Sequence, residues 1–208
     1  DVEVVPHLIC GGWSKYDIED SLIDMDFLGC TTCWRCGATS GRTNPLRPLR
    51  PGTRPRRRLV RQIQAMNRGE FIDGEVEECH HSKFSVGVAG YPEKHFEAAN
   101  AQSDLQYLKE KSMAGAIIVT QMFFDNSKYF DFVERCRKAG ITVPIIPGIT
   151  DLDAKHLEIL PRTFSVSLPE ELVKAVRACG EDTQAAREVG DEWAIHQAKE
   201  LKAAEVPI

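Results

Sequence analysis

Three nearly continuous apolar segments, each joined to the next by a helical pattern, constrain the fold of this chain most strongly. They are Ser85–Gly90, Ala116–Phe124 and Ile141–Ile149. Between them, residues 97–113 and 127–138 repeat apolar side chains at helical spacing and end beside a glycine. Strands that are apolar throughout are typical of a parallel sheet covered by helices. The sequence therefore predicts an α/β fold.

Further elements extend this pattern in both directions. Val2–Ile9 has the apolar character of a short buried strand. Ser14 is a good N-cap for a helix that Gly29 ends. The apolar residues at helical spacing in this helix are Ile18, Leu22, Ile23 and Phe27. The other predicted helices are 59–67, 170–178 and 183–203.

The alternatives for such a sheet are a doubly wound fold and a (β/α)₈ barrel. No GxGxxG motif follows a strand, which disfavours a dinucleotide-binding Rossmann domain. Polar residues cluster where strands end, and a barrel places its active site at the carboxyl ends of its strands. These residues are His7, Tyr91, His95, Gln121 and the Pro147-Gly148 pair. Because a whole barrel takes about 250 residues, we predict one partial TIM-barrel domain over residues 1–208, covering roughly strands 3 to 7.

Composition excludes several classes of protein. The 208 residues are 42% apolar and 27% charged, with a net charge of −5, which argues against disorder and coiled coil. No apolar run approaches the roughly 20 residues of a membrane span. The chain opens at Asp1 inside an apolar run, so we expect a fragment. Seven cysteines, an odd number, favour a reducing cytoplasmic location.

One segment departs from the rest of the chain. Phe27–Gly69 holds ten of the 26 basic residues, all of them arginine, and none of the 31 acidic residues. Cys30, Cys33 and Cys36 lie in the same stretch, together with four prolines. We call residues 30–58 the Arg/Pro/Cys segment. It shows neither strand nor helix periodicity, although it leaves room for a fifth strand.

Three motifs at matching distances carry a family resemblance. The sequence VAGYPEKHFEA begins at Val88, DLQYLKEKSMAGA begins at Asp104, and TQMFF begins at Thr120. Together they closely resemble methylenetetrahydrofolate reductase. The flanking sequences VVPHLIC and IIPGI, with LPEEL further on, agree with the same family. The resemblance covers nearly the whole chain except the Arg/Pro/Cys segment.

The resemblance implies a fold, a reaction and partners. The fold would be a (β/α)₈ barrel with bound FAD, and the reaction would be the reduction of 5,10-methylenetetrahydrofolate to 5-methyltetrahydrofolate by NADH or NADPH. Such an oxidoreductase would serve one-carbon metabolism and methionine biosynthesis. We expect folate and NAD(P)H as partners, a homo-oligomer, no bound metal, and neither nucleic-acid nor membrane association. Another flavin- or phosphate-binding TIM-barrel enzyme, or an inactive fragment, is the alternative.

The resemblance also assigns roles to particular residues. Those implied to contact FAD are His7, Tyr91, His95, Glu97, Ala98, Asp104 and Lys111. Gln121 would meet the folate, and its amide can both donate and accept hydrogen bonds, which suits a pterin edge. Asp104 and Lys111 are seven apart and share one helix face, where Lys111 could meet a phosphate. Taken singly, these side chains could equally be solvated helix charges or satisfied interior groups. The family's proton-donating Glu and its last strand are expected outside this chain, so the catalytic residue is unknown.

The Arg/Pro/Cys segment has three interpretations. The spacing C-x₂-C-x₂-C resembles part of an iron–sulfur ligand run, although no fourth ligand follows at a matching distance. The arginines 54 and 56–58 could bind nucleic acid, although no aromatic or periodic pattern supports this. Alternatively, the segment is frame-shifted. Read one base earlier, codons for Cys33–Thr39 permit Val-Leu-Ala-Leu-Arg-Gly-Asp, which would supply the strand and the L-R-G-D that the family resemblance places there.

Overall fold

Strands and helices alternate along much of the chain, as the apolar pattern predicts. The computed structural model describes residues 6–8, 13–35, 55–74, 80–95, 98–112 and 116–207. The strands are β1 (Thr32–Arg35), β2 (Ser85–Gly90), β3 (Ile117–Met122) and β4 (Ile145–Gly148). The helices are α1 (Lys15–Phe27), α2 (Pro55–Asn67), α3 (Ala101–Ser112), α4 (Asn126–Lys138), α5 (His156–Phe164), α6 (Glu170–Ala178) and α7 (Thr183–Ala203).

The strands pair in parallel. Thr32 of β1 is aligned with Ser85 of β2, and Ile118 of β3 is aligned with Ile145 of β4. Parallel neighbours need a crossover connection, and helices α2 and α4 lie between the members of these two pairs in sequence. The prediction of an α/β fold with parallel strands is therefore confirmed.

The chain divides into two compact units. Unit 1 comprises Asp1–Ala89 with Glu110–Ile117, and unit 2 comprises Gly90–Lys109 with Ile118–Ile208. The prediction of one barrel domain over residues 1–208 stays a prediction. Most of the predicted strand Val2–Ile9 lies outside the described residues.

Helix α1 in unit 1 begins at the predicted N-cap. Ser14 Oγ accepts the backbone N–H of Asp17 at 3.1 Å, and the Asp17 carboxylate accepts the N–H of Ser14 at 2.7 Å. This reciprocal capping box satisfies two N–H groups that a helix end otherwise leaves unpaired. The hydrogen bond from the Ser14 backbone, followed by that from its hydroxyl, lowers the pKa of Asp17.

The apolar side of α1 is narrower than the sequence pattern predicts. Ile18 and Leu22, one turn apart, are buried. Ile23 and Phe27 were expected to join them, but 45% of Ile23 and 90% of Phe27 are exposed. At about 3.6 residues per turn, the latter two lie on the opposite side of the helix. The prediction that Ile23 and Phe27 belong to the buried side of α1 was therefore wrong.

Asn67 ties the end of α2 to the start of β2. Its Oδ1 accepts both the backbone N–H of Phe84 and the hydroxyl of Ser82, at 2.9 and 2.8 Å. Its Nδ2 donates to the carbonyl of Phe84 at 2.9 Å. One amide side chain thus pairs both backbone groups of the residue that precedes β2.

One apolar cluster of unit 2 lies where α5, α6 and α7 pack near the end of β3. Helices α6 and α7 are in direct contact. The buried side chains of this cluster are Phe124, Leu152, Leu160, Val166, Leu172, Val176 and Ala186. At about 25 cal/mol for each Å² of apolar surface removed from water, this cluster is a main source of stability for the unit.

A buried polar network joins α7 to the start of α4. Asn126 Nδ2 donates to the carbonyl of Gln197 at 3.2 Å and to the carboxylate of Glu200 at 2.6 Å. Gln197 Nε2 donates in turn to the carbonyl of Phe123 at 3.2 Å and to Asn126 Oδ1 at 3.1 Å. Because unpaired buried amides are costly, these bonds fix one arrangement of the two helices.

Some elements differ from the sequence predictions. Helix α3 begins at Ala101 rather than Glu97, because Asn100 Oδ1 caps the N–H of Ser103 at 2.8 Å. Helix α5 had no predicted counterpart, since it contains Pro161 and its N-cap makes no side-chain hydrogen bond. Strand β1 occupies part of the room left for a fifth strand. Helices α6 and α7 have the predicted bounds.

Gly190→Ala is expected to destabilise the chain. A Cβ at this position of α7 would lie 1.8 Å from the carbonyl oxygen of Leu152, so backbone must move. We expect a loss of about 1–3 kcal/mol in the free energy of unfolding from overpacking, measured by urea denaturation. Helix propensity alone would give a gain of about 1 kcal/mol. Ala198→Gly, at an exposed position of the same helix, calibrates that propensity, and a stabilised Gly190→Ala variant would contradict the predicted clash.

Candidate functional site

The loop that leaves β2 has an uncommon backbone conformation. It runs from Tyr91 to His95, and we call it the Tyr91–His95 loop. Lys94 has φ = 91°, one of three described non-glycine residues with positive φ. Such a conformation costs an L-residue about 1–3 kcal/mol and persists only where surrounding contacts impose it. Strained backbone of this kind clusters at functional sites.

Hydrogen bonds from other parts of unit 2 hold this loop at several points. Arg135 of α4 donates through Nη2 to the carbonyl of Pro92 at 2.8 Å. Asp104, in the first turn of α3, accepts the backbone N–H of His95 through Oδ2 at 2.9 Å. Two separate helices therefore fix the start and the end of the loop.

Two further contacts hold the middle of the loop. Lys94 Nζ donates to the carbonyl of Ala98 at 2.7 Å. The Glu93 carboxylate accepts both the backbone N–H of Ser167, at 2.9 Å, and the Ser167 hydroxyl. Ser167 lies between α5 and α6, so this contact spans 74 residues of sequence.

The aromatic residues of the loop pack against each other. The rings of Tyr91 and His95 meet edge to face, with centroids 4.4 Å apart and planes at 85°. His95 is buried, with 4% of its surface exposed, while Tyr91 is half-buried. This arrangement orients the Tyr91 ring beside the end of β2.

A shallow depression lies at the carboxyl ends of β2 and β3. Its lining residues are Tyr91, Pro92, Glu93, Lys94, Gln121, Met122, Phe164, Ser165 and Val166. The space over these residues is about 190 Å³ when the open solvent above them is included, so this is a surface depression rather than an enclosed cavity. It can therefore contact one ring or one edge of a larger ligand. Ligands of open α/β sheets bind outside the carboxyl ends of their strands.

The end of β4 shows similarly close backbone packing. The N–H of Gly148 donates to Thr120 Oγ1 at 2.9 Å. A Cβ at Gly148 would lie 2.3 Å from the carbonyl oxygen of Thr120, so this close approach requires glycine. The Pro147-Gly148 pair, predicted as part of the polar strand ends, thus serves the β3–β4 pairing.

Some of the predicted site residues come together, and others do not. Tyr91, His95, Ala98 and Asp104 form one connected network, and Gln121 lines the depression beside Tyr91. His7 and Lys111 lie in unit 1, where His7 is exposed and Lys111 half-buried near the end of α3. Glu97 lies outside the described residues.

Sequence reasoning missed the residues that anchor the loop. Glu93 and Lys94 stand inside the quoted family motif, yet neither was given a role. The sequence feature that could have identified them is the turn at Pro92-Glu93, which follows the predicted strand Ser85–Gly90 and precedes His95. Ser167 carried no sequence signal, because its link to Glu93 exists only in three dimensions.

The cysteines described in the structure do not form a reactive site. Burial raises the pKa of the Cys136 thiol to about 11, which disfavours the nucleophilic thiolate. Of the Cys30, Cys33 and Cys36 run, only Cys30 has a described side chain, a free thiol. Among the described residues, no three His, Cys, Asp or Glu side chains are grouped to hold a metal ion. Within the same ranges, every helix is too short or too polar for a membrane span.

Comparison with known proteins identifies the family. The family model for methylenetetrahydrofolate reductase matches residues 1–208. The chain belongs to the methylenetetrahydrofolate reductase family. It is 34% identical over 128 residues to "Probable methylenetetrahydrofolate reductase (NADPH)" of Caenorhabditis elegans, which is 61% of this chain and 19% of that protein.

Two other members of the family match this chain over different lengths. "Methylenetetrahydrofolate reductase 2" of Saccharomyces cerevisiae is 28% identical over 206 residues, 96% of this chain and 32% of that protein. "5,10-methylenetetrahydrofolate reductase" of Buchnera aphidicola is 36% identical over 120 residues, 57% of this chain and 41% of that protein. The chain thus spans less than half the length of these curated relatives.

A solved structure has a similar fold. It is an uncharacterized protein from Clostridium thermocellum, described as binding two copies of 5-methyl-5,6,7,8-tetrahydrofolic acid. The TM-score is 0.60 at 14% identity, and the match covers 98% of the reductase-family chain and 63% of the other protein. At this identity the likeness concerns the fold alone.

Asp104→Ala is expected to loosen the Tyr91–His95 loop. The variant removes the acceptor of the His95 N–H, and an unpaired N–H beside a buried side chain costs about 1–3 kcal/mol. Urea denaturation should report a loss of that size, whereas Asp104→Asn keeps an acceptor oxygen and should lose less. Asp131→Ala, at an exposed position of α4, is the control and should stay within about 0.5 kcal/mol of the parent. Equal stability of Asp104→Ala and the parent would contradict this role.

Proposed function

We propose that this chain is the cofactor-binding part of an enzyme that reduces 5,10-methylenetetrahydrofolate to 5-methyltetrahydrofolate with NADH or NADPH. Family membership sets the reaction class. The observation that carries the proposal is the Tyr91–His95 loop, which is strained, anchored from several sides and adjacent to Gln121 at the carboxyl ends of two parallel strands. We further propose an incomplete (β/α)₈ barrel as the scaffold.

The side chains near the loop offer contacts that would suit FAD. Tyr91 offers an aromatic ring, Lys94 a cation and Gln121 an amide on one surface, which suits a ligand with aromatic and charged parts. When bound, FAD would carry hydride from the nicotinamide to the folate. In this proposal the chain's own residues bind and orient the two reactants. Asp104 acts by holding the His95 backbone, and it thereby keeps the Tyr91 ring at the depression.

The remaining cofactor contacts are proposed from the family resemblance. His7, Ala98 and Lys111 would contact FAD, and so would Glu97. Gln121 would hold the folate, since its half-buried amide lies where a pterin edge can exchange hydrogen bonds with it. By the same reasoning we propose a cytoplasmic homo-oligomer whose product serves methionine synthesis.

Gln121→Ala tests the proposed function. The purified chain should bind FAD, measured as 450 nm absorbance that co-elutes with the protein. In a form of the protein that includes the family's proton-donating Glu, anaerobic reduction with NADH or NADPH, followed by methylenetetrahydrofolate, should return the oxidised flavin spectrum. We expect Gln121→Ala to keep FAD but to slow the folate-dependent step about tenfold or more, as loss of a substrate hydrogen bond does.

The control variant for this test is Gln184→Ala. Gln184 lies on α7 and donates to Glu188 at 2.9 Å, apart from the proposed site residues. It should behave like the parent chain. Flavin that NAD(P)H reduces but folate does not reoxidise would instead favour another flavin-binding enzyme of the same fold. A chain without flavin would favour an inactive fragment.

The alternative that the chain is an inactive fragment is supported by the Arg/Pro/Cys segment. We propose that a double frameshift, in the gene or its sequencing, spans about Cys30 to Arg58. The nucleotide sequence read one base earlier should encode L-R-G-D at the codons for Cys36–Thr39. If the nucleotide sequence does not encode L-R-G-D in the shifted frame, the frameshift hypothesis is wrong. If the shift exists in the organism, we expect purified protein without 450 nm absorbance.

A further inference from the structure

We infer that Glu93 and Ser167 are positioning residues that set the conformation of the Tyr91–His95 loop, so that the segment between α5 and α6 controls cofactor binding. The second part of this inference, control of cofactor binding, rests on the proposed function. The first part, control of the loop conformation by Ser167, rests on the geometry of unit 2 alone.

The first step concerns the loop itself. A lysine with φ = 91° does not adopt this backbone unaided. Within the loop, the Lys94 N–H donates to the Tyr91 carbonyl at 3.1 Å and supports the turn. The net stabilisation from one such bond is comparable to the strain of a positive φ or smaller than it. Contacts from outside the loop therefore supply further stabilisation.

The second step compares those outside contacts. Arg135 and Asp104 hold the two ends, through Pro92 and His95. Glu93, next to the strained residue, is held by Ser167, which donates both its backbone N–H and its hydroxyl to the two carboxylate oxygens. A two-point bond to a carboxylate fixes its orientation better than a single one. Ser167 thus controls the residue that precedes Lys94.

The third step links the contact to the depression. Phe164, Ser165 and Val166 form part of its wall, and Ser167 follows them directly in the chain. Ser165 has φ = 55° and forms the C-cap of α5. The wall of the depression and the anchor of the loop therefore belong to one short segment, and moving that segment changes both.

The test uses four variants of the chain. Ser167→Ala removes the hydroxyl donor, and Ser167→Thr retains it. Glu93→Gln removes the charge of the acceptor, and Glu158→Gln removes the same charge from an exposed position of α5. Ser167→Thr and Glu158→Gln are thus the matched controls.

The first readout is amide hydrogen exchange without FAD. Exchange at Lys94 and His95, whose N–H groups are both hydrogen-bonded, should accelerate about tenfold in Ser167→Ala and Glu93→Gln. Exchange in β3 and α7 should not change, whereas a general loss of stability would accelerate it there too. The controls should match the parent chain. Unchanged exchange at Lys94 and His95, or equal acceleration throughout the unit, overturns the positioning role.

The second readout is FAD titration followed by flavin fluorescence and by the visible spectrum at saturation. We expect the Kd for FAD to rise about tenfold in Ser167→Ala and to return to the parent value in Ser167→Thr. If the parent binds FAD and the variants bind it equally well with the same spectrum, the control of cofactor binding is wrong. If the parent binds no FAD, the proposed function and the cofactor half of this inference fail together, while the exchange data still decide the role of Ser167.

Discussion

The left-handed backbone of Lys94 is the constraint on which the candidate site depends. A φ of 91° is unfavourable for a lysine, and the Tyr91–His95 loop keeps this conformation because helices α3 and α4 and the segment after α5 all bond to it. Arg135 and Ser167 are 43 and 74 residues from their partners in the loop. The site is therefore a product of the assembled unit 2 rather than of the loop sequence alone.

Close backbone contacts set the framework around that loop. Gly148 lets β4 approach the carbonyl of Thr120, and Gly190 lets α7 approach the carbonyl of Leu152. At Gly90, the last residue of β2, a Cβ would lie 2.7 Å from Ile118 Cγ2. Dense packing of this kind leaves little room for adjustment. The strand ends that carry the polar side chains are thus held in fixed positions within unit 2.

The sequence predicted the elements well where the apolar pattern was strong. Strand β2 and helices α6 and α7 have the bounds that period and caps indicate. Prediction failed at α5, because Pro161 and the absence of a capping side chain removed the usual sequence signals of a helix. Tertiary contacts stabilise this helix. Prediction also failed for Phe27, which lies on the side of α1 opposite the buried Ile18 and Leu22. The resemblance to the family motif assigned roles to Tyr91 and His95, but none to Glu93 and Lys94.

By itself, the sequence determined the family, the parallel α/β class and the position of the polar strand ends, since all three follow from local pattern and residue order. Only the tertiary structure decided which polar residues meet. It joined Asp104 to His95 and Glu93 to Ser167, across 9 and 74 residues respectively. The physical reason is that a hydrogen bond requires two groups within about 3 Å with suitable orientation. Chain folding, rather than sequence spacing, brings such distant groups together.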